Sequence, residues 1–448
     1  MTAPALLVRD ALLVPMDGPP TAPLGSVRRG ALRIRGDRIT RVLDGDPPPE
    51  PGERVLDARG RVALPGFVQG HVHFCQTLFR GLADDLPLMP WLRSRIWPLE
   101  AAHDARSAAV SAEVALYELL RGGTTTVQVM ESVRHAEEGF AAAERAGVTC
   151  ILGNCLMDQG GDDLPPGFAT SAAEAIAISE ALIDAWHGRG RLSYAVSPRF
   201  VLSCSETLAR EAAALAADRG LRIHTHAGEH PGEVAEVRAR FDADYLVVLD
   251  RQGLLGPRTG LAHCVHLSDR ERALLRERGA AVLHCPSANL KLGSGIAPIA
   301  GYVADGVRVA LGADGAACNN RLSALTELRL ACLLQALAAG PGEWPAPRAL
   351  WTATRGGALA LGVDDAGMLA PGMRADVALI DLEGAELGHG DPASRVVFSA
   401  QDAHVATVIV GGRVVVEDGQ VLGVDPPEMR ARAERALAGV LQRAGLSR

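Results

Sequence analysis

Lysine is almost missing from this chain of 448 residues, in which Lys291 is the only one. The 45 basic residues are therefore nearly all arginines, and they are interspersed with 53 Asp and Glu residues to give a formal net charge of −8. No segment forms the basic stripe that proteins use to contact a phosphate backbone. The composition therefore gives no support to nucleic-acid binding.

Closely spaced cysteines and long apolar runs are also missing. The 8 cysteines are scattered without a Cys-x-x-Cys pair, which argues against a zinc ribbon and against a thioredoxin-like redox motif. No apolar run reaches the roughly 20 residues that a membrane-spanning helix needs. The first residues lack the basic start and the long apolar core of a signal peptide. We therefore expect a cytoplasmic protein.

The most informative motif that is present is a pair of histidines, His71 and His73, directly after an apolar, strand-like run. In an extended strand the side chains at i and i+2 point to the same side, so the two imidazoles converge. This spacing suits two ligands of one metal ion. The same pattern recurs at His224 and His226, again at the end of an apolar run.

Further polar groups end other apolar runs. Glu229 follows the second histidine pair by three residues, and His263 and Asp314 stand at the ends of two later runs. One His-x-His motif alone is more often a pair of ordinary core or surface histidines. Histidines and carboxylates collected at several strand ends instead predict a catalytic metal site with an open coordination position.

Between about residues 60 and 370, short apolar runs alternate with segments of helical spacing. Eight strand–helix units in this order predict an α/β fold of the (β/α)8 TIM-barrel type, with the polar groups at the carboxyl ends of the strands. The predicted strands are Ala63–His71, Thr124–Met130, Thr149–Leu156, Leu192–Phe200, Leu221–Ala227, Gly260–His266, Ala280–Cys285 and Val307–Gly312.

The two chain ends have a different pattern, with short strands and turns. Neither residues 1–60 nor residues 371–425 can bury a core alone, so we expect both ends to pair into one small β-sandwich flanking the barrel. The barrel itself is predicted to span residues 61–370. Residues 426–448, which are rich in Ala, Arg and Glu, are expected to form a C-terminal helix.

Long segments of the chain resemble the amidohydrolase superfamily, in its mononuclear metal-dependent deaminase branch. The matching segments are residues 71–92, 96–100, 263–267, 289–298 and 311–320. Within the branch the chain is most similar to S-adenosylhomocysteine, 5'-methylthioadenosine and 5'-deoxyadenosine deaminases, with aminodeoxyfutalosine deaminases nearby. There are departures: residues 197–208, with Arg199 where that group usually has histidine, and Gln76 look more like guanine deaminase.

The resemblance implies hydrolytic deamination of the adenine ring of a 5'-modified adenosine to a hypoxanthine product and ammonia. Two enzymatic alternatives stay open: a guanine or 8-oxoguanine deaminase, and an s-triazine hydrolase. A non-enzymatic scaffold with a structural metal is disfavoured, because structural metal sites are closed. A small nucleoside is the expected partner, and the protein is expected to form a homo-oligomer.

The resemblance also implies that His71, His73, His226 and Asp314 hold one divalent ion, with zinc preferred and iron possible. Such an ion lowers the pKa of a bound water to about 7. Some binuclear barrel hydrolases bridge two metals through a carboxylated lysine on a mid-barrel strand. The only lysine, Lys291, lies in a loop late in the chain, so a single ion is expected.

Catalytic roles follow from the same resemblance. Glu229 is expected to protonate the ring nitrogen next to the carbon under attack and to carry protons to the leaving ammonia. His263 is expected to orient the attacking water, and Asp314 can accept a proton from it. His224 is predicted to be a buried, hydrogen-bonded histidine. Glu233, in the helix after Glu229, is expected to be a solvated carboxylate.

Four residues are predicted to contact the substrate. Glu100 is expected to accept hydrogen bonds from the ribose hydroxyls, and Trp91 matches the segment that closes over the sugar. Gln76 and Arg199 are expected to read ring nitrogens or a carbonyl of the base. If the substrate is guanine, Glu100 has no sugar to bind.

Overall fold

The computed structural model describes residues 5–447, apart from the side chain of Asp162. The chain divides into two compact units. One comprises residues 70–116, 127–322 and 425–448, and the other comprises residues 1–69, 117–126 and 323–424.

The first sheet is a parallel barrel built from ten strands among the described residues. Most of their residues are buried, which explains why they appear in the sequence as continuous apolar runs. This confirms the predicted fold class. The strands are Phe67–His73, Thr124–Met130, Thr149–Gly153, Cys155–Leu156, Leu192–Pro198, Arg222–Ala227, Thr259–His263, Ala281–His284, Arg308–Leu311 and Asp314–Gly315.

The barrel closes through an eighth strand that is interrupted. Its first part, Arg308–Leu311, pairs in parallel with Ala281–His284, and its second part, Asp314–Gly315, pairs in parallel with the first barrel strand. Gly312 lies at the interruption, where a Cβ atom would come within 2.8 Å of the backbone nitrogen of His71. A larger residue would therefore push the first and eighth strands apart, and both of these strands carry predicted metal ligands.

Helices follow most of the barrel strands. Several begin at a serine whose hydroxyl accepts a backbone N–H of the first turn, as Ser205 does from Leu208 and Ser268 from Glu271. The α-helices of eight or more residues are Ala105–Arg121, Ala136–Ala146, Ala172–Trp186, Glu206–Asp218, Pro231–Phe241, Asp269–Arg278, Ala324–Ala338 and Pro426–Ala444.

Shorter helices occupy several of the loops. The short α-helices are Leu88–Trp91, Trp97–Ala101, Tyr245–Arg251, Pro286–Lys291, Ile299–Ala304, Ala316–Asn319, Ala346–Thr352, Arg355–Ala360 and Pro392–Phe398. In the described part of the chain, no helix combines the length and the apolar character that crossing a bilayer requires.

Both chain ends contribute to the second sheet, which has nine strands within residues 5–447. Its core includes Leu6, Ile34, Val377 and Ile409, all almost completely buried. The strands are Leu6–Leu13, Arg28–Arg35, Arg38–Asp44, Arg54–Asp57, Val62–Pro65, Val377–Ile380, Val405–Val410, Arg413–Glu417 and Gln420–Val421.

Val62–Pro65 joins the two ends, because it pairs in parallel with Leu6–Leu13 and antiparallel with Val377–Ile380. The predicted run Ala63–His71 is therefore divided between two sheets. The division falls at Gly66, where a Cβ atom would overlap the side chain of Thr125. Only glycine permits this close approach, and Pro65 before it lacks the N–H that a continuous strand would use.

Candidate active site

Four side chains with metal-ligand chemistry converge at the carboxyl ends of the first, fifth and eighth barrel strands. They are His71, His73, His226 and Asp314, and their ligand atoms all lie within 4.8 Å of one another. The Nε2 atoms of His71 and His73 lie 3.2 Å and 3.3 Å from Oδ1 of Asp314. The structure thus brings together the four residues predicted as ligands.

Backbone carbonyls orient two of the histidine rings. Nδ1 of His73 lies 2.8 Å from the carbonyl oxygen of Met130, and Nδ1 of His226 lies 2.6 Å from that of Arg199. A carbonyl oxygen can only accept, so Nδ1 of each ring carries the proton. The lone pair is then left on Nε2, which points into the cluster, as is usual for histidines that bind metals.

The ring of His71 is held by His224, the first histidine of the second His-x-His motif. Its Nδ1 atom lies 2.7 Å from Nε2 of His224, which is fully buried as predicted. Nε2 of His71 is buried without a hydrogen-bond partner among the described residues. A buried polar atom left in this state calls for a ligand. Three imidazole nitrogens and one carboxylate oxygen are a donor set that fits a divalent zinc or iron ion.

Burial also sets the charge states that metal binding requires. It lowers the pKa of His71 to about 4 and that of His226 well below its ordinary value, so both rings stay neutral at pH 7. Burial alone would raise the pKa of Asp314. The adjacent rings of His71 and His73 outweigh burial and hold that pKa well below its usual range. The carboxylate therefore stays ionised.

Glu229 and His263 lie beside this cluster. Oε2 of Glu229 is 3.4 Å from Nε2 of His263, which in turn is 3.8 Å from Oδ2 of Asp314. Burial raises the pKa of the Glu229 carboxyl well above its ordinary value, and the neighbouring carboxylates of Asp314 and Glu233 add to the effect. Glu229 can therefore hold a proton near neutral pH, which is what a general acid needs.

Glu233 is not the solvated carboxylate that its surface-helix pattern predicts. It is buried, and its Oε2 accepts the backbone N–H of Glu229 over 3.0 Å, while Tyr245 donates its hydroxyl to Oε1 over 2.6 Å. It therefore fixes the backbone of the Glu229 loop. The sequence signal that could have found it is its place as the third residue of a helix, where Glu often accepts the N–H groups that precede the helix.

Lys291 is not part of the cluster of His71, His73, His226 and Asp314, which we call the metal-type cluster. Its Nζ atom is 2.5 Å from Oδ1 of Asp84 and 3.1 Å from the carbonyl oxygen of Ala317. Lys291 is the last residue of the short helix Pro286–Lys291 and does not lie in the expected loop, and its amine is engaged by Asp84 and by the helix Ala316–Asn319.

A cleft opens at the cluster, lined by His73, His226 and Asp314 and by Gln76 and Arg199. Trp91 also lines it, and further apolar side chains complete the walls. A concave site that combines apolar walls with convergent polar groups is typical of sites that bind small molecules. The other apolar lining residues are Leu88, Leu92, Phe200 and Leu292.

Glu100 is brought together with Gln76 and Arg199, but it lies behind them. Its carboxylate is only 1% exposed and accepts from Nη1 of Arg199 at 2.8 Å and from Nη2 at 3.2 Å. Nε2 of Gln76 donates to it as well, at 2.9 Å. Gln76 and Arg199 are among the described residues that line the cleft, whereas Glu100 is not.

The barrel and the site at its carboxyl-terminal face define a hydrolase of the barrel type. Residues 62–415, most of the chain, match the model of the amidohydrolase family. The chain belongs to this family.

Similar proteins extend the match over nearly the whole chain. A 5'-deoxyadenosine deaminase of Methanothermobacter thermautotrophicus is 37% identical over 94% of this chain and 97% of its own. A 5-methylthioadenosine/S-adenosylhomocysteine deaminase of Pelotomaculum thermopropionicum is 36% identical over 98% of this chain and 99% of its own. Among solved structures, a zinc-bound adenosine deaminase of Xanthomonas campestris superposes with a TM-score of 0.88 at 30% identity, covering 98% of both chains.

Proposed function

We propose that this protein hydrolytically deaminates the adenine ring of a 5'-modified adenosine, giving the hypoxanthine product and ammonia. The observation that carries the proposal is the position of Glu229, a carboxyl with a strongly raised pKa, beside His263 and the four-ligand cluster. The names of the relatives support the adenosine-type substrate.

One divalent ion, zinc in preference to iron, is proposed to be held by His71, His73, His226 and Asp314. When bound there, such an ion supplies Lewis-acid activation of water. The zinc in the Xanthomonas neighbour favours this metal.

The protein's own residues then move the protons. The oxygen of water forms a bond to C6 of the ring, and the bond from C6 to the amino nitrogen breaks. His263 orients the water, and the ionised Asp314 accepts its proton. Glu229 gives its proton to the adjacent ring nitrogen, takes the remaining proton from the new hydroxyl at C6 and passes it to the amino group. Ammonia then leaves as the C6 carbonyl forms, and the proton held by Asp314 returns to Glu229.

A guanine-type substrate is the second candidate, and one observation favours it. The carboxylate of Glu100 already accepts three hydrogen bonds from Arg199 and Gln76 and does not line the cleft, so it is not placed to accept ribose hydroxyls. A free base would not need such an acceptor.

A substrate panel separates the two candidates. Zinc-loaded protein is incubated with 5'-deoxyadenosine, 5'-methylthioadenosine, S-adenosylhomocysteine, guanine and 8-oxoguanine, and ammonia release is measured. The proposal expects turnover of at least one adenosine at a kcat/KM far above that for either guanine. Efficient release from guanine with none from the adenosines would replace it with the second candidate.

A further inference from the structure

The ion pair between Glu100 and Arg199 is buried at the wall of the cleft. The side chains are 1% and 5% exposed, and the two hydrogen bonds between them arrange the guanidinium and the carboxylate side by side. A bidentate pair of this kind fixes the orientation of the guanidinium as well as its position. An arginine buried here without its partner would be an uncompensated charge.

Glu100 is ionised in this setting. Burial alone would raise the pKa of the carboxyl, but the charge and hydrogen bonds of Arg199 outweigh it, and the pKa is lowered below its ordinary value. An ionised carboxylate can only accept hydrogen bonds.

Because the Glu100 carboxylate can only accept hydrogen bonds, it also orients the amide of Gln76. Its amide must turn Nε2 toward Glu100, which leaves Oε1 as the free end of the group. Oε1 is buried and has no hydrogen-bond partner in the described part of the chain. The glycine at 315 makes room for it, because a Cβ atom there would overlap Oε1. The cleft wall therefore carries a cationic donor, Arg199, beside an unsatisfied acceptor, Gln76.

Arg199 is also connected to the metal-type cluster. Its carbonyl oxygen accepts the Nδ1 proton of His226 over 2.6 Å, so one residue holds a predicted ligand with its backbone and lines the cleft with its side chain. A shift of Arg199 would disturb both the bound ring and the ligand geometry, and small displacements of this kind are costly in catalysis.

We propose that Glu100 is a positioning residue that never contacts the substrate: it locks the guanidinium of Arg199 and orients the amide of Gln76. The two cleft residues then present a fixed pattern to a nitrogen heterocycle, with donors for a ring acceptor and an acceptor for a ring or amino N–H. This inference rests on the proposed function, in that the cleft binds such a ring.

The first test removes the sugar hydroxyls from the substrate. Glu100→Gln keeps the size of the side chain but loses its charge, and kcat/KM should fall by about tenfold to a thousandfold. The loss of kcat/KM should be the same for 5'-deoxyadenosine and for 2',3'-dideoxyadenosine, which lacks the 2'- and 3'-hydroxyls of the ribose. A loss confined to the substrate with hydroxyls would make Glu100 a sugar acceptor and overturn the proposal.

The second test is a double-mutant cycle. If Glu100 acts through Arg199, Glu100→Gln should cost much less in the Arg199→Gln background than in wild type, because only the orientation of Gln76 is then left to lose. If the loss of kcat/KM in the double variant equals the product of the two single losses, Glu100 acts independently of Arg199, contrary to the proposal. Glu100→Asp keeps the charge and provides a second variant, for which we expect a smaller loss that is again equal on both substrates.

Glu271→Gln is the matched control. Glu271 is equally buried and accepts from Leu246 and Ser268, away from the cleft, so its variant should keep wild-type kcat and KM. Metal content and Tm are measured for every variant. If wild type turns over neither nucleoside, the proposed function fails. If guanine is the substrate instead, the double-mutant cycle is run with guanine and tests the positioning role separately.

Discussion

The ring of His263 is fixed by Asn289, whose Oδ1 lies 2.8 Å from Nδ1 of His263. Because His263 donates this proton, its Nε2 keeps a lone pair, and that atom faces Oε2 of Glu229 at 3.4 Å. A protonated Glu229 can donate to it. His263 also has a positive φ of 73°, a conformation that is unusual outside glycine and often found at functional sites.

Replacing Asn289 should therefore impair catalysis without removing the metal. In Asn289→Leu the His263 ring loses its partner and its preferred tautomer, and kcat should fall by about tenfold to a hundredfold. Metal content should stay at the wild-type value, because among the described residues the side chain of Asn289 bonds to His263 and to none of the four proposed ligands. Unchanged kcat in the variant would show that His263 needs no such support.

Glu229→Gln should keep the fold and the metal but lose most turnover. An amide cannot deliver the proton that the ring nitrogen requires, and general acid–base groups contribute about a hundredfold or more. Steady-state kinetics with metal analysis on the same sample tests this. Near-normal kcat at full metal content would remove Glu229 from the proton transfer.

Metal analysis of purified protein should give about one equivalent per chain, and His226→Ala should lose it. The Tm of this variant should fall when the metal is lost, because an ion that binds only the native state stabilises that state. Two tightly held equivalents would contradict a single site and would point to the second nearby group, His263, Cys285 and Asp314.

The barrel and the histidine pairs could be predicted because their signals are local, whereas the set of four ligands is implied by the resemblance to the amidohydrolase superfamily. Continuous apolar runs indicate buried parallel strands, and the i, i+2 spacing of His71 and His73 indicates side chains on one face. The predicted run Thr124–Met130 agrees with the observed strand at both ends. Such patterns can be recognised from residues that are neighbours in the sequence.

The wall of the cleft could not be predicted, because it depends on distant pairs. Glu100 and Arg199 are 99 residues apart, and no local spacing indicates that they meet. The division of the first apolar run is a second example. The run is mostly apolar, and its two strands separate at Pro65 and Gly66, where the side chain of Thr125, from a distant part of the chain, comes close to Gly66.

A buried carboxyl away from the cluster should make stability depend on pH. Glu131 is 5% exposed, and burial raises its pKa from 4.5 to about 8. Between these values the folded state binds more protons than the unfolded state, so the free energy of unfolding falls as pH rises. The stability from this group is full below about pH 4.5 and is lost by about pH 8, with a limiting slope of about 1.4 kcal/mol per pH unit.

Glu131→Gln should flatten that dependence, whereas Glu211→Gln, at an exposed position, should not. Denaturant unfolding at a series of pH values measures it. A Glu131→Gln variant with the same slope as wild type would mean that this carboxyl is ionised in the folded protein.

The most direct test of the account is oxygen transfer to the ring. Zinc-loaded protein is incubated with 5'-deoxyadenosine in water labelled with oxygen-18, and the products are measured by mass spectrometry and an ammonia assay. The account predicts 5'-deoxyinosine with one labelled oxygen and one equivalent of ammonia per turnover, and formation of both slower by about a hundredfold or more with Glu229→Gln. Unchanged 5'-deoxyadenosine, or a product without the label, would contradict hydrolytic deamination at this site.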